Sequence, residues 1–321
     1  MSIPLTRYGR ELSSIFQLLG HNEDDLTYAL GWCLANCSVL MTKFVEEIGF
    51  QELNSPVHIA LQEADEFGRT DVEIHCDDSL LVIEAKKGFV LPTIDQLKKY
   101  SYRHFSEKSN RRLLVLTDYN SIVMREDANV PHVVNGLPIQ YLGWQEIFQL
   151  VLVATKTSNN KQKLLLRQFA TYLKETVTMP NKNSNLVWVV PLSNKKFGGG
   201  DLSFSDIVQE KEFYFHPIRK GYVLEPPNYI GFRHQGKLRS IHHIEKTDVF
   251  IDFHKYLDGL DEDFSNSEKH FLYHLGPAMI PQTVVKTGKI YGPGRHWAML
   301  DLLLTSETVK EARDKTQERL K

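Results

Sequence analysis

The chain has 321 residues, 38 Lys+Arg against 40 Asp+Glu for a formal net charge of −2, and three cysteines. That length favours two domains, and a composition 42% hydrophobic and 24% charged suits packed cores rather than disorder. Near-neutral charge argues against a tail-driven polyanion binder, although local patches rather than the sum set nucleic-acid contacts. Three cysteines with no CxxC pair argue against a disulfide-stapled domain and against a four-cysteine zinc or iron–sulfur site. The N-terminus shows no signal pattern and no apolar run reaches the roughly 20 residues of a membrane span, so a soluble cytoplasmic protein with no membrane partner is expected.

In chain order, residues 1–20 read as a short amphipathic lead-in. Asn22, Glu23, Asp24 and Asp25 then open one long helical pattern from about Leu26 to Ile48, with Leu26, Leu30, Leu34, Cys37, Leu40 and Phe44 at three- and four-residue spacings. Gly49 fits its stop. Val57–Leu61 reads as a short strand, and Asp71–Cys76 alternates with Val72, Ile74 and Cys76 on one face. After a turn at Asp77-Asp78-Ser79, Leu80–Ala85 is continuous and apolar up to Glu84, as a doubly covered strand should be. A helix over Thr93 to about Ser106 and a buried strand at Leu113–Leu116 follow. A strand near Pro138–Leu142 and helices near Trp144–Val153 and Gln162–Val177 complete residues 1–180, a mixed sheet flanked by helices.

The polar stretch from Thr178 to about Asn185 marks a boundary, and 186–321 reads as a second domain. Short alternating runs punctuated by Gly and Pro, with a hairpin over Tyr229–Ile244 turning at Gln235-Gly236, predict a small, mainly β barrel or sandwich. The tail from Ser306 reads as a charged, solvated helix.

One cluster carries chemistry. If the strands at Asp71 and at Glu84-Ala85-Lys86 pair as a hairpin, Asp71 and Glu84 converge at one sheet edge, with Lys86 on the face of Glu84. Two carboxylates and a backbone carbonyl suit a hard divalent cation, and an adjacent lysine can orient or deprotonate water and neutralise developing charge. The competing reading is an exposed cross-strand ion pair. Glu84-Ala85-Lys86 is the one carboxylate–x–Lys triplet in the chain.

With Asp71, Glu84-x-Lys86 and Gln96-x-x-x-Tyr100, the stretch from Glu23 to Leu142 resembles the PD-(D/E)xK nuclease superfamily, with Thr70 where many members have Pro. The resemblance implies a restriction-endonuclease-like α+β fold and hydrolysis of DNA with Mg²⁺ or Mn²⁺. It implies Asp71, Glu84, the carbonyl of Ala85 and the helix-one acid Glu23 around the metal, with Asp24 the second choice for that acid. Lys86 would orient the attacking water, and Gln96 would steer a phosphate or an active-site group.

From Lys98 to Arg112 six basic residues face one acid, so Lys98, Lys99, Tyr100, Arg103, Arg111 and Arg112 are the expected DNA contacts, a solvated helix face being the plainer reading. His270 and His274 lack ligand spacing, and the histidines of the second domain read as scattered. The Gly-rich run Tyr291–His296 reads as a loop lining a binding face. The hairpin at Tyr229–Arg233 is weakly similar to PUA-type barrels, which implies a base-reading pocket near Tyr229, Phe232 or Trp297. The function expected is a restriction or anti-phage DNA endonuclease with a C-terminal recognition domain, acting as a homodimer. The alternative is a nuclease-fold DNA-binding or assembly protein with little catalysis.

Overall fold

The computed structural model describes residues 3–50, 57–76, 78–102, 108–178 and 184–321. The chain is mixed α/β and divides into two compact units, Met1–Pro180 and Asn181–Lys321.

Unit one opens with a two-stranded hairpin, β1 (Thr6–Arg7) and β2 (Arg10–Glu11), and a 3₁₀ turn over Ile15–Leu18. Next come α1 (Glu23–Asn36) and α2 (Ser38–Glu47). The predicted single helix is in fact two, bent by 112° at Cys37, whose backbone is extended. Asn36 turns its side chain back onto the Trp32 carbonyl, and the Cys37 thiol lies 3.6 Å from the Ser158 hydroxyl. The local signal for this break is weak: Asn and Ser flank the bend, and both compete for backbone hydrogen bonds. The bend carries Leu26, Leu30 and Cys33 of α1 and Leu40 and Phe44 of α2 into one core. Gly49, at φ +55, ends α2 while Phe50 N–H reaches the Val45 carbonyl, a left-handed cap that favours glycine.

The sheet follows: β3 (His58–Leu61), a small β4–β5 ribbon (Ala64–Asp65, Gly68–Arg69), β6 (Val72–Cys76) and β7 (Ser79–Ala85). Helix α3 (Ile94–Tyr102) crosses to β8 (Asn110–Thr117), which is parallel to β7. Then come α4 (Ser121–Glu126), β9 (Val133–Val134), β10 (Leu137–Gly143), α5 (Trp144–Thr157) and α6 (Asn160–Leu173), which ends in a π turn over Lys174–Thr178. The order β3-β6-β7-β8-β10-β9 is antiparallel at both ends and parallel through β7, β8 and β10.

All seven residues of β7 are buried. Leu81, Ile83 and Ala85 join the core with α1, α2, α5 and α6, so by the two-residue period Leu80, Val82 and Glu84 face the opposite side. Each fully buried aliphatic side chain contributes about 1.5–3 kcal/mol, which makes this strand a rigid base for what lies at its end. Among the described residues no single helix is long and apolar enough to cross a membrane.

Unit two contains β11 (Leu186–Pro191), α7 (Phe204–Glu210), β12 (Phe213–Pro217), β13 (Tyr229–His234), β14 (Lys237–Phe250), β15 (His270–Leu275), β16 (His296–Met299), α8 (Leu300–Thr305) and α9 (Val309–Arg319). The predicted hairpin is β13–β14. Gln235 and Gly236, both at positive φ, form its two-residue turn, as the twist of paired strands requires.

The mainly β unit expected here as a barrel or sandwich is built on one six-stranded sheet of order β12-β15-β14-β13-β11-β16. The long strand β14 pairs first with β13 and then, past a register shift between Ile244 and Lys246, with β15. That corner folds one half of the sheet over the other. The Trp188 ring meets His216 at 4.9 Å and Tyr214 meets Phe232 at 5.4 Å across the fold. Helix α9 is not solvated all round: Val309, Ala312 and Thr316 are buried, and the Thr316 hydroxyl accepts from Met299 N–H.

Candidate active site

The parallel strands β7, β8 and β10 all end on one rim of the sheet, the place where open α/β sheets put their sites. Val72 pairs with Ile83, so Asp71 and Glu84 stand next to each other at that rim. They are 8% and 3% exposed. The Ala85 N–H donates to Asp71 Oδ2 at 2.7 Å and thereby fastens the two strand ends together. Burial first, and the charge of Glu84 second, push the Asp71 carboxyl up to about 6, while the Ala85 hydrogen bond and Lys86 pull the other way.

Lys86 projects to the same side as Glu84 and donates to Glu84 Oε1 at 2.7 Å, with Glu23 Oε2 at 3.6 Å from its ammonium. Burial lowers the Lys86 pKa, but the hydrogen bond and charge of Glu84, with Glu23 and Asp71, outweigh it and leave the ammonium held above its ordinary value. Lys86 is therefore a cation at neutral pH. It can orient a water and neutralise charge, but it is not poised to abstract a proton.

The three consecutive acids of α1 have separate work. Glu23 accepts from Lys87 N–H at 3.0 Å as well as facing Lys86. Asp24 pairs with Arg69 at 3.3 Å and accepts from Gln62 Nε2 at 3.4 Å. Asp25 closes a capping box with Asn22. Glu23 is thus the acid on the lysine side of the site, and Asp24 is on the Asp71 side.

Several site residues carry little sequence signal. Trp144, fully buried at the start of α5, donates its indole N–H to the Lys86 carbonyl and fixes the backbone just past β7. Glu73, 3% exposed, accepts from Thr70 Oγ1 and lies 2.9 Å from the His75 ring nitrogen. Gln62, at φ +57, reaches both Asp24 and Asp71.

Other expected residues are placed differently. Tyr100, expected to touch DNA, is buried, and its hydroxyl donates to Glu84 Oε2 at 2.7 Å. It packs against Glu84 and is not exposed for a phosphate contact. The Gln96 side-chain oxygen accepts from Thr93 N–H at 3.0 Å while Thr93 Oγ1 accepts from Gln96 N–H, a Thr-x-x-Gln capping box that starts α3. Its carboxamide oxygen is turned away from the steering role expected of it.

Arg111 and Arg112 pair with Leu80 and Leu81 at the beginning of β8, about 10–13 Å along the strand from Glu84. Arg112 donates to the Ile48 carbonyl and to Gln140 Oε1 and lies over the Phe50 ring. It staples α2 to the sheet and does not reach for phosphate. Lys98 and Lys99 are exposed on α3. Arg103 lies outside the described residues.

In unit two several of the histidines have structural partners. His216 lies 2.9 Å from the Tyr273 hydroxyl, His242 bonds Gly276 O and Ser240, and His274 meets Asp248. His270 and His274 lie on a strand, not a helix. Arg233, 5% exposed, donates to the carbonyls of Tyr291, Gly292 and Gly294 and so ties down the Gly-rich loop. Of the expected base-reading aromatics, Phe232 is fully buried, Tyr229 is half-buried and Trp297 is 40% exposed.

The rim fits a divalent cation in three respects. Two buried carboxylates converge, burial and then their mutual repulsion raise one of them, and the buried Gln62 Oε1 beside them has no hydrogen-bond partner among the described residues. Among the described residues no three His, Cys, Asp or Glu side chains form a closed cage. A cation here would rest on Asp71 and Glu84, with the Ala85 carbonyl, other neutral oxygens and water completing its shell, as Mg²⁺ tolerates. No family model matches the chain, and no curated protein matches it either.

Proposed function

We propose that unit one is a metal-dependent deoxyribonuclease of the PD-(D/E)xK kind. The observation that carries this reading is the convergence of Asp71, Glu84 and a charged Lys86 on the rim where three parallel strands end. Asp71 and Glu84 would hold Mg²⁺ or Mn²⁺, with Glu23 behind Lys86. The cation, when bound, supplies charge neutralisation at the scissile phosphate and makes bound water more acidic.

Lys86 orients the attacking water by its ammonium protons, and Tyr100 and Trp144 hold Glu84 and the Lys86 backbone in place. The attacking water gives up a proton to solvent as its oxygen adds to phosphorus, the bond to the leaving oxygen breaks, and that oxygen takes a proton from solvent. The exposed Lys98 and Lys99 contact backbone phosphates. Two copies, one per strand, account for double-strand cutting, and a restriction or anti-phage role in the cytoplasm, with unit two as target reader, goes with this reading.

A second reading, a nuclease-fold DNA-binding or assembly protein, is favoured by one observation: both Glu84 oxygens already have protein partners, Lys86 and Tyr100. Supercoiled plasmid separates the two. Nicking with Mg²⁺ or Mn²⁺ that stops in EDTA supports the nuclease. A DNA complex that forms and is never cut with either cation supports the binding protein.

A further inference from the structure

Gln62 sits one residue past β3 with a left-handed backbone, φ +57, a region that favours glycine and strains other residues. Its backbone is pinned there, since Gln62 N–H donates to the Asp71 carbonyl at 3.0 Å. The result is a carboxamide held between two acids. Nε2 donates to Asp24 Oδ1 and to Asp71 Oδ1, both at a long 3.4 Å. At the other end of the same amide, Oε1 is buried and has no hydrogen-bond partner among the described residues. A buried acceptor left without a partner is destabilising, so this arrangement carries both backbone strain and an unmet oxygen for two weak bonds.

Electrostatics explain which end faces the acids. With the acceptor oxygens of Asp24 and Asp71 on that side, the amide turns its NH₂ toward them. A divalent cation at the rim reverses the local field. Rotation of the amide by about 180° about its last side-chain torsion, a broad and easily crossed torsion, exchanges the two ends. It breaks the two 3.4 Å contacts, moves the NH₂ to the position the oxygen held, and gives the oxygen a hard-cation partner of the kind Mg²⁺ and Mn²⁺ prefer.

We infer that Gln62 is a further metal-ligating residue, a rotatable arm whose NH₂ bridges Asp24 and Asp71 in the cation-free state and whose Oε1 joins Asp71 on a bound divalent cation. This rests on the cation-dependent reading of the rim given above. It adds a neutral oxygen donor from the β3 side, outside the Asp–Glu-x-Lys pattern, and it explains why Asp71 needs no third carboxylate beside it.

The test is calorimetric titration of the full-length protein with Mn²⁺, using wild type, Gln62→Leu, Gln62→Glu and Asp71→Ala, with melting temperatures in EDTA recorded alongside. The expected result is that Asp71→Ala abolishes the Mn²⁺ isotherm and Gln62→Leu weakens it roughly tenfold or more. Gln62→Glu binds Mn²⁺ more tightly than wild type, because a carboxylate replaces the amide. In EDTA Gln62→Glu melts lower than wild type, from repulsion with Asp24 and Asp71, and regains that loss when Mn²⁺ is added. A residue that merely braced the loop would give neither the tightening nor the recovery.

Asp71-dependent Mn²⁺ binding that Gln62→Leu leaves within twofold of wild type overturns the role of Gln62 and leaves the nuclease reading standing. Wild type that binds no Mn²⁺ overturns both.

Discussion

Asp71→Asn should make the protein more stable while removing its proposed metal site. In the folded chain burial and Glu84 hold the Asp71 carboxyl at about 6, against an ordinary 3.8. A raised folded pKa means the native state keeps this proton more tightly than the unfolded state does. The cost of ionisation is therefore absent below about pH 4, grows as pH rises through the interval, and is complete above about pH 6. The gap between about 6 and 3.8 corresponds to about 3 kcal/mol in neutral buffer. Asparagine keeps the shape and one oxygen for the Ala85 N–H, so most of that cost is relieved. For a unit of this size each kcal/mol moves the melting temperature about 2–4 °C, which gives a rise of roughly 5–10 °C. Scanning calorimetry of full-length wild type and variant in EDTA, from about pH 4 to pH 8, measures it. The gain should vanish near pH 4. An Asp71→Asn protein no more stable than wild type at neutral pH, or one with the same gain at both ends of the range, refutes the reasoning.

Three other perturbations test separate parts of the site. Tyr100→Phe removes a charge-assisted bond to buried Glu84 and should cost about 1.5–3 kcal/mol by chemical denaturation; a loss under about 0.5 kcal/mol would mean the hydroxyl is not holding that carboxylate. Arg112→Ala leaves the Ile48 carbonyl and Gln140 without their partner and should cost about 1–3 kcal/mol, with DNA affinity unchanged in a filter-binding assay; a large affinity loss in a folded variant would return Arg112 to the DNA interface. Replacing Lys98 and Lys99 together by alanine should weaken DNA binding and reduce the slope of log affinity against log salt by about 1–2, while the melting temperature stays put; an unchanged slope would place the DNA elsewhere.

Much of this was legible because the interactions are local or strictly periodic. Two apolar runs separated by Asp77-Asp78-Ser79 imply a hairpin, and the two-residue strand period then puts Asp71, Glu84 and Lys86 together. Gln235-Gly236 announces its turn by chemistry, since both residues adopt positive φ. What stayed hidden depends on tertiary position. The spacing from Leu26 to Phe44 is that of one helix, and the bend at Cys37 follows from packing both halves on one core.

The basic run from Lys98 to Arg112 is continuous in sequence but not in space. Lys98 and Lys99 ride α3, whereas Arg111 and Arg112 start β8 at the far end of the strand from Glu84. Tyr100 reads as surface because basic residues surround it, yet its place in the helix turns it onto Glu84. Trp144 lies 58 residues from the carbonyl it holds, and Gln62 owes its place to a left-handed backbone that no spacing rule signals.

The central claim, that Asp71, Glu84 and Lys86 form a hydrolytic centre, is tested most directly by single-turnover cleavage of plasmid DNA. Wild type, Asp71→Ala and Lys86→Ala are compared with Mg²⁺ or Mn²⁺, and DNA binding is measured on the same samples. The account predicts that wild type cuts, that both variants lose at least about 100-fold in rate, and that Lys86→Ala still binds DNA to within a few-fold. Cutting by either variant at the wild-type rate would contradict it.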